Sequence, residues 1–355
     1  MQNIRRNLLY QQQLASYASN IIDWNQLKNK TILITGATGM LGVFLIDLLM
    51  YRNKEYRDNI RIIAISRDEN KAKERLDVHW DKSEFFYLKH DVNHPLSLDM
   101  LPAEIDYIIH GASNTHPVLY AADPIGTIKT NVTGTMNLLE LATAQTSCRV
   151  VFLSSVEIYG ENRGDTEEFM ENYCGYIDCN TLRACYTEGK RLGEALCQAY
   201  ISTRKVDVVI PRLCRVYGPT ILMTDTKAIS QLIQRAAAGE DIILKSDGMQ
   251  LYSYIYVGDA VSAILTVMLR GKTGEAYNVA DRNSNWTLRE LAEYLALING
   301  KKVTYAFPDE KESRGYSAAT KALLNADKLK AVGWSCGHSM TDGIKLTYEL
   351  LRSKA

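Results

Sequence analysis

The chain has 355 residues, 46% of them apolar and 23% charged, which excludes disorder, collagen and a long coiled coil and suits two globular lobes. Lys plus Arg number 41 and Asp plus Glu number 41. This balance leaves no general positive field for nucleic acid or an anionic membrane, so an anionic ligand needs a local pocket of cations.

No apolar run reaches the roughly 18–20 residues of a membrane span. The first twenty residues lack an apolar stretch followed by a small-residue cleavage site, so no secretory leader is expected. The 7 cysteines are scattered and form no CxxC pair. They read as reduced thiols of a cytoplasmic protein, and no metal site is expected.

Residues 1–30 read as a helical extension. Leu8, Leu9, Leu14, Tyr17, Ile21 and Ile22 form its expected docking face. Short apolar runs then alternate with amphipathic segments. Strands are predicted at 31–36, 61–66, 85–92, 106–113, 149–155 and 206–213, and helices at 40–52, 130–144 and 185–200. Apolar strands alternating with helices imply an α/β Rossmann-type, doubly wound parallel sheet covered on both faces. After Gly218-Pro219 the alternation breaks, with a helix at 227–238 and a strand at 242–245. SYIYVGDAVSAILTVML and EAYNVA (275–280) read as a return to the main layer, and the tail as two or three helices. The predicted division is a dinucleotide-binding domain, 31–217 plus 251–282, and a smaller discontinuous substrate lobe, 218–250 plus 283–355. Ligands of such sheets lie at the carboxyl ends of the strands.

The first strand runs into Gly36-Ala37-Thr38-Gly39-Met40-Leu41-Gly42 and then a helix. Gly36 allows the turn, Gly39 lets a pyrophosphate approach, and Gly42 lets helix and strand pack closely. Free N–H groups at the helix start suit phosphates. The second strand ends in Ser66-Arg67, where NAD-binding chains place an acid. Arg67 can pair with a 2′-phosphate and tilts the reading toward NADP, with NAD left open because Asp68 and Glu69 reach the ribose. Asp91-Val92 is placed for adenine, and Gly111-Ala112-Ser113 lies beneath the pyrophosphate.

Tyr186 and Lys190 form YxxxK, one turn apart on a predicted helix. A tyrosine with a nearby lysine and a cationic nicotinamide can take a hydroxyl proton while hydride leaves the same carbon. Ser155, ending the preceding strand, can hold that oxygen.

With these residues in place, the chain resembles the extended short-chain dehydrogenase/reductases, the NAD-dependent epimerase/dehydratase family acting on nucleotide sugars. The resemblance spans about residues 30–335 and is strongest to its UDP-glucuronate decarboxylase branch. It rests on RACYTEGKRLGEALCQAY (183–200), Asp123-Pro124-Ile125, Lys129-Thr130-Asn131, Gly134-Thr135, and Arg212, Gly218-Pro219, Met223, Asp225 and Ser230. It implies a cofactor contact for Asn131 and a substrate contact for Tyr120. Ser155-Val156-Glu157 resembles the Ser/Thr-x-Glu of decarboxylases and 4,6-dehydratases, making Glu157 an acid/base candidate. Val156 stands where dTDP-glucose dehydratases carry their proton-donating Asp.

Two positions depart from the family. Tyr252 replaces an arginine that binds the substrate diphosphate in many relatives, and Arg215 replaces an asparagine. The expected reading is that Arg215 takes over the diphosphate, with Lys227 and Arg314 assisting. The tail at 319–334 is more similar to that of 4-keto-sugar reductases. The leading function is therefore nucleotide-sugar decarboxylation, dehydration or epimerisation through transient hydride transfer to NAD(P) and a keto-sugar. The alternative is an NADPH-dependent reductase of a nucleotide-linked keto-sugar. A non-catalytic dinucleotide-binding subunit is disfavoured by intact Ser155, Tyr186 and Lys190. The resemblance also implies a homodimer paired through the helices at 130–144 and 185–200.

Overall fold

The computed structural model describes residues 2–20, 23–306 and 319–352. Helices α1 (Gln2–Arg6) and α2 (Leu8–Asn20) precede β1 (Thr31–Thr35), α3 (Met40–Tyr56), β2 (Arg61–Ser66), α4 (Glu69–Leu76), β3 (Phe85–Lys89) and β4 (Tyr107–His110). Helices α5 (Pro117–Ala122) and α6 (Pro124–Thr143) lead into β5 (Arg149–Phe152), β6 (Ser154–Ser155), α7 (Ala184–Arg204), β7 (Asp207–Leu213) and β8 (Arg215–Tyr217). The remainder comprises α8 (Ala228–Ala237), β9 (Ile242–Leu244), β10 (Leu251–Tyr256), α9 (Val257–Arg270), β11 (Ala276–Val279), β12 (Asn285–Thr287), α10 (Leu288–Asn299), β13 (Val303–Tyr305), β14 (Lys321–Ala322), α11 (Asp327–Ala331) and α12 (Met340–Arg352).

An eight-stranded parallel sheet, ordered β11-β7-β5-β4-β1-β2-β3 with β6 alongside β7, forms the main layer. Every residue of β1 is buried, because helices cover both faces and no position faces water. The sheet order reverses at β1, which pairs with β2 on one side and β4 on the other. That reversal opens a crevice at the carboxyl ends of β1 and β4.

Helix α6 starts at Pro124, earlier than predicted, with the Asp123 carboxylate accepting from Gly126 N. It packs against α7. Gly193 lets α7 lie close to β5, since a Cβ there would stand 2.4 Å from Phe152 Cζ. This close approach fixes the height of Tyr186 above the strand ends.

Two expectations are corrected. SYIY does not rejoin the main layer: β10 lies in a second, four-stranded sheet with β12, β14 and β8. Register explains this, because β10 pairs in parallel with β8 immediately after β7 leaves the main sheet at Leu213. The second sheet therefore joins strands from both predicted lobes, while α9 packs on β7 and β5. In the N-terminal extension, Leu8 and Leu9 face outward, and the docking side chains are Ile4, Tyr10, Leu14, Tyr17 and Ala18. Ile21 and Ile22 lie outside the described residues.

A buried polar centre holds the extension to α3. Asp47 accepts from Arg5 Nε at 2.8 Å, Tyr10 OH at 2.7 Å and His79 Nε2 at 2.7 Å. Burial raises its pKa, but Arg5 and His79 outweigh burial and hold the carboxyl below its usual range. Arg75, whose carbonyl accepts from Arg5, donates to Thr220 O at 2.6 Å, and Thr220 Oγ1 donates to Met40 O at 2.9 Å. The extension is thus wired to the first residue of α3.

Candidate active site

A cavity of about 760 Å³ runs from the glycine turn to the second sheet. Gly36, Thr38, Gly39, Met40, Leu41, Gly42, Ser66, Arg67, Asp91, Val92, Gly111, Ala112 and Ser113 line its cofactor end. Tyr120, Ser155, Glu157, Tyr186, Arg215, Lys227 and Tyr252 line the remainder. Asn131 and Lys190 lie behind the wall, and Arg314 falls outside the described residues.

The cofactor end is a backbone cradle. Gly36 has φ +70°, and a Cβ there would meet Gly111 O at 2.6 Å. Only glycine serves, on both dihedral and steric grounds. Helix α3 then begins at Met40 and points its free N–H groups toward the crevice. Thr35 Oγ1 accepts from Ala112 N at 3.2 Å, and Ser113 Oγ donates to Asn131 Oδ1 at 3.0 Å, which fixes the opposite rim. His110 beneath it is buried between Thr35 and Thr135, and burial lowers its pKa to about 3, so it is a neutral bridge. These features fit a dinucleotide pyrophosphate. Among the described residues, no group of three or more His, Cys, Asp or Glu is placed to hold a metal ion.

At the chemical end, Tyr186 is buried, and its ring stacks on Tyr120 with centroids 5.6 Å apart and planes 19° apart. Burial raises the Tyr186 hydroxyl pKa above its ordinary value, opposed by a hydrogen bond from Ser155. Lys190 donates to Leu153 O at 2.8 Å. Burial lowers its pKa to about 8, with Glu194 working the other way. The lysine is therefore anchored to the strand below the tyrosine, and burial dominates the tyrosine's own pKa.

Glu157 lies between two guanidiniums. Arg183 Nη2 is 2.6 Å from Glu157 Oε2, and Arg215 Nη2 is 3.6 Å from Oε1. Burial raises the pKa of Glu157, but Arg183 and then Arg215 outweigh it, so this side chain is a carboxylate and a proton acceptor. Arg215 lies flat over the Tyr252 ring at 3.4 Å, and its Nη1 is buried with no hydrogen-bond partner among the described residues. Tyr252 OH donates to Ala319 O at 2.7 Å. Lys227 pairs with Asp225 at 3.1 Å, and His116 meets the same carboxylate at 3.0 Å.

Sequence reasoning missed several lining residues: Arg183, Lys71, His116, Arg235 and Lys245. The signal for Arg183 was present, since it stands three residues before Tyr186 at the start of the same helix. His116 and Lys245 carry no local pattern that separates them from surface residues.

Residues 32–280 match the model of the NAD dependent epimerase/dehydratase family. The chain is 31% identical over 328 residues to UDP-glucuronic acid decarboxylase 3 of Arabidopsis thaliana, covering 91% of this chain and 90% of that one. It is 32% identical over 328 residues to UDP-glucuronic acid decarboxylase 6 of the same plant, covering 91% and 89%. Among solved structures, UDP-glucuronic acid 4-epimerase from Bacillus cereus, in complex with UDP-glucuronic acid and NAD, superposes with a TM-score of 0.78 at 20% identity, covering 92% of this chain and 100% of that one. The dTDP-glucose 4,6-dehydratase from Bacillus anthracis, in complex with NAD, gives 0.76 at 23% identity, covering 90% and 96%. The glycine cradle, the Ser155–Tyr186–Lys190 group and these matches lead to one conclusion: the chain belongs to the NAD-dependent epimerase/dehydratase family and is an NAD-dependent enzyme that modifies nucleotide sugars.

Proposed function

We propose that this enzyme removes CO2 from a nucleotide-linked uronic acid through a 4-keto-sugar. The observation that carries the reading is the meeting of Tyr186, Ser155, Glu157 and two guanidiniums, Arg183 and Arg215, on one cavity that begins at the glycine cradle. The decarboxylases named above support it. Tyr186 takes the proton of the C4 hydroxyl once the positive nicotinamide ring and the Lys190 ammonium offset the burial that raises its pKa, and Ser155 orients that oxygen. NAD held at the glycine cradle would supply a reversible acceptor for the C4 hydride. With a ketone at C4, the carboxylate on C5 is β to a carbonyl. The C5–C6 bond then breaks, its electron pair passes into the enolate, CO2 leaves, C5 takes a proton from water, and Tyr186 gives its proton back to the C4 oxygen as the hydride returns to C4. Glu157, held as a carboxylate, accepts hydrogen bonds and does not supply the C5 proton. Val156 offers no acid for loss of a C6 hydroxyl, which weighs against dehydration.

The test is incubation of UDP-glucuronate with the enzyme and a trace of NAD, followed by mass spectrometry. A product lighter by one CO2 supports the reading. Retention of the carboxylate sinks it. Consumption of NADPH mole for mole with a keto-sugar nucleotide would favour the reductase alternative, which Ser66-Arg67 motivates.

The adenosine end supports a finer proposal, a preference for NADP. Arg67 is exposed at the end of β2, 3.9 Å from Asp91, and Lys71 lines the same end. A 2′-phosphate there would meet two cations. Titration is expected to show tighter binding of NADP than NAD, with Arg67→Ala weakening NADP alone. Equal weakening of both removes the inference.

We also propose a cytoplasmic homodimer. Ile125, Ile128 and Met136 are exposed along one stripe of α6, and Leu192 is exposed on the adjacent α7. Their spacing marks an apolar helix face without a partner among the described residues. Ile128→Glu is expected to halve the mass seen by light scattering. A wild-type protein that is already monomeric contradicts the pairing. No helix of the described residues is long and apolar enough to cross a membrane.

A further inference from the structure

Arg183 keeps Glu157 charged in the site described above, and its other contacts give it a wider task. It is the residue immediately before α7, and Tyr186 follows in the first turn. Its Nη2 donates to Glu157 Oε2 at 2.6 Å, and its Nη1 donates to Tyr120 OH at 2.7 Å. Tyr120 in turn stacks on Tyr186. On the other side, Glu157 N donates to Ser155 Oγ at 3.2 Å. The contacts therefore close a ring around the Tyr186 hydroxyl: Tyr186, Tyr120, Arg183, Glu157 and Ser155.

We infer that Arg183 is a positioning residue of the reaction, holding the Glu157 carboxylate and the Tyr120 ring in fixed places beside Tyr186. The planar fork of an arginine suits this task, because one guanidinium reaches an acid and a phenol at once. A lysine offers one ammonium and cannot span both at the same geometry. Arg183 touches neither the hydride-bearing carbon nor the tyrosine hydroxyl in this scheme, and it acts through its two partners. Among the described residues, the groups facing Glu157 are Arg183 ahead of α7, Arg215 on β8, Tyr120 on α5 and Tyr186 on α7. Tyr252 on β10 faces Arg183. With Arg183 removed, Glu157 keeps only the more distant guanidinium of Arg215, and burial then works to protonate it.

The rate arm of the test rests on the decarboxylase reading, and the stability arm does not. On UDP-glucuronate, Arg183→Met is expected to lower kcat at least about tenfold with a smaller change in KM. The acidic limb of its pH–rate profile is expected to rise by about 1–3 pH units. Arg183→Lys is expected to restore the acidic limb, through its charge, but not the full rate. An Arg183→Met enzyme with the wild-type profile and only a lower melting temperature would overturn the inference, since a purely structural tie moves stability and leaves the limb in place.

The second arm is a double-mutant cycle of Arg183→Met with Glu157→Gln, read by urea denaturation of the full chain without substrate. Glu157 is shifted down in the folded protein, so its contribution is present above the ordinary glutamate range and is lost as pH falls through the folded value. The coupling is therefore expected to be full at neutral pH and to shrink on acidification. A coupling near zero, or one flat with pH, overturns the inference. A wild type inert toward UDP-glucuronate would overturn the substrate reading alone, and the pH–rate arm would then be run on the nucleotide sugar that the enzyme does turn over.

Discussion

Replacing Tyr186 by phenylalanine is expected to lower turnover by about 10²–10⁴-fold while NAD affinity stays nearly unchanged. The substitution is a narrow one in this site. Phenylalanine keeps the ring buried and keeps the stack on Tyr120, so the packing of α5 against α7 survives. Only the hydroxyl goes, and with it the group that Ser155 bonds and that faces the sugar oxygen. The glycine cradle lies at the other end of the cavity, built from backbone that the mutation does not touch. Cofactor binding by fluorescence titration and steady-state turnover on the same preparation separate the two effects. Near-normal turnover would remove Tyr186 from the mechanism. A parallel collapse of NAD binding would mean that the variant had disturbed the fold.

Arg215→Ala is expected to raise KM by the equivalent of roughly 1.5–3 kcal/mol, with a much smaller change in kcat. Register gives the reason. Arg215 on β8 pairs with Tyr254 on the neighbouring β10, and Tyr252 lies two residues earlier on the same face of β10. The guanidinium reaches across the strand pair and lies on the Tyr252 ring at 3.4 Å. On the proposed reading, Arg215 presents from β8 the cation that the resemblance places at the Tyr252 position of β10. Its Nη1 is buried with no partner among the described residues, so the guanidinium keeps unspent donor capacity beside the cavity that Arg215 lines. Tyr252→Arg in the Arg215→Ala background is expected to recover part of the loss. A large fall in kcat at constant KM would instead place Arg215 at the reacting sugar and end the idea of a relocated diphosphate contact.

Strand-level features were legible wherever periodicity and local chemistry agreed. The run from Thr31 to Gly42 announced its strand, its glycine turn and the helix that follows, because a fully apolar strand ending in glycines has few other uses. Tyr186 and Lys190 were legible for a similar reason, through a fixed spacing on a helix. The membership of β10 was not legible. SYIY is as apolar as any main-layer strand, and its place is decided by pairing with β8, a long-range fact that no window of the sequence holds. Glu157 was found from its neighbours in sequence, but its charge was not, since that depends on Arg183 and Arg215 arriving from separate elements. The outward turn of Leu8 and Leu9 has the same origin. The extension docks by satisfying a buried acid on α3, and that acid chose Tyr10 and Arg5 over the two leucines.

That buried acid bears on where the folding unit begins. The segment matched by the family model starts at residue 32, yet two of the three side chains bonded to Asp47 come from residues 5 and 10. A chain trimmed to the family segment would lose the extension packed on Asp47 and two of its three side-chain partners, leaving His79. The lost partners also feed Arg75 and Thr220, whose hydroxyl ends on the carbonyl of Met40 at the mouth of the phosphate turn. The extension is thus tied to the glycine turn as a keel is tied to a hull. Boundaries for expression, for chimaeras with relatives and for any count of this fold's minimal parts should be drawn ahead of Arg5.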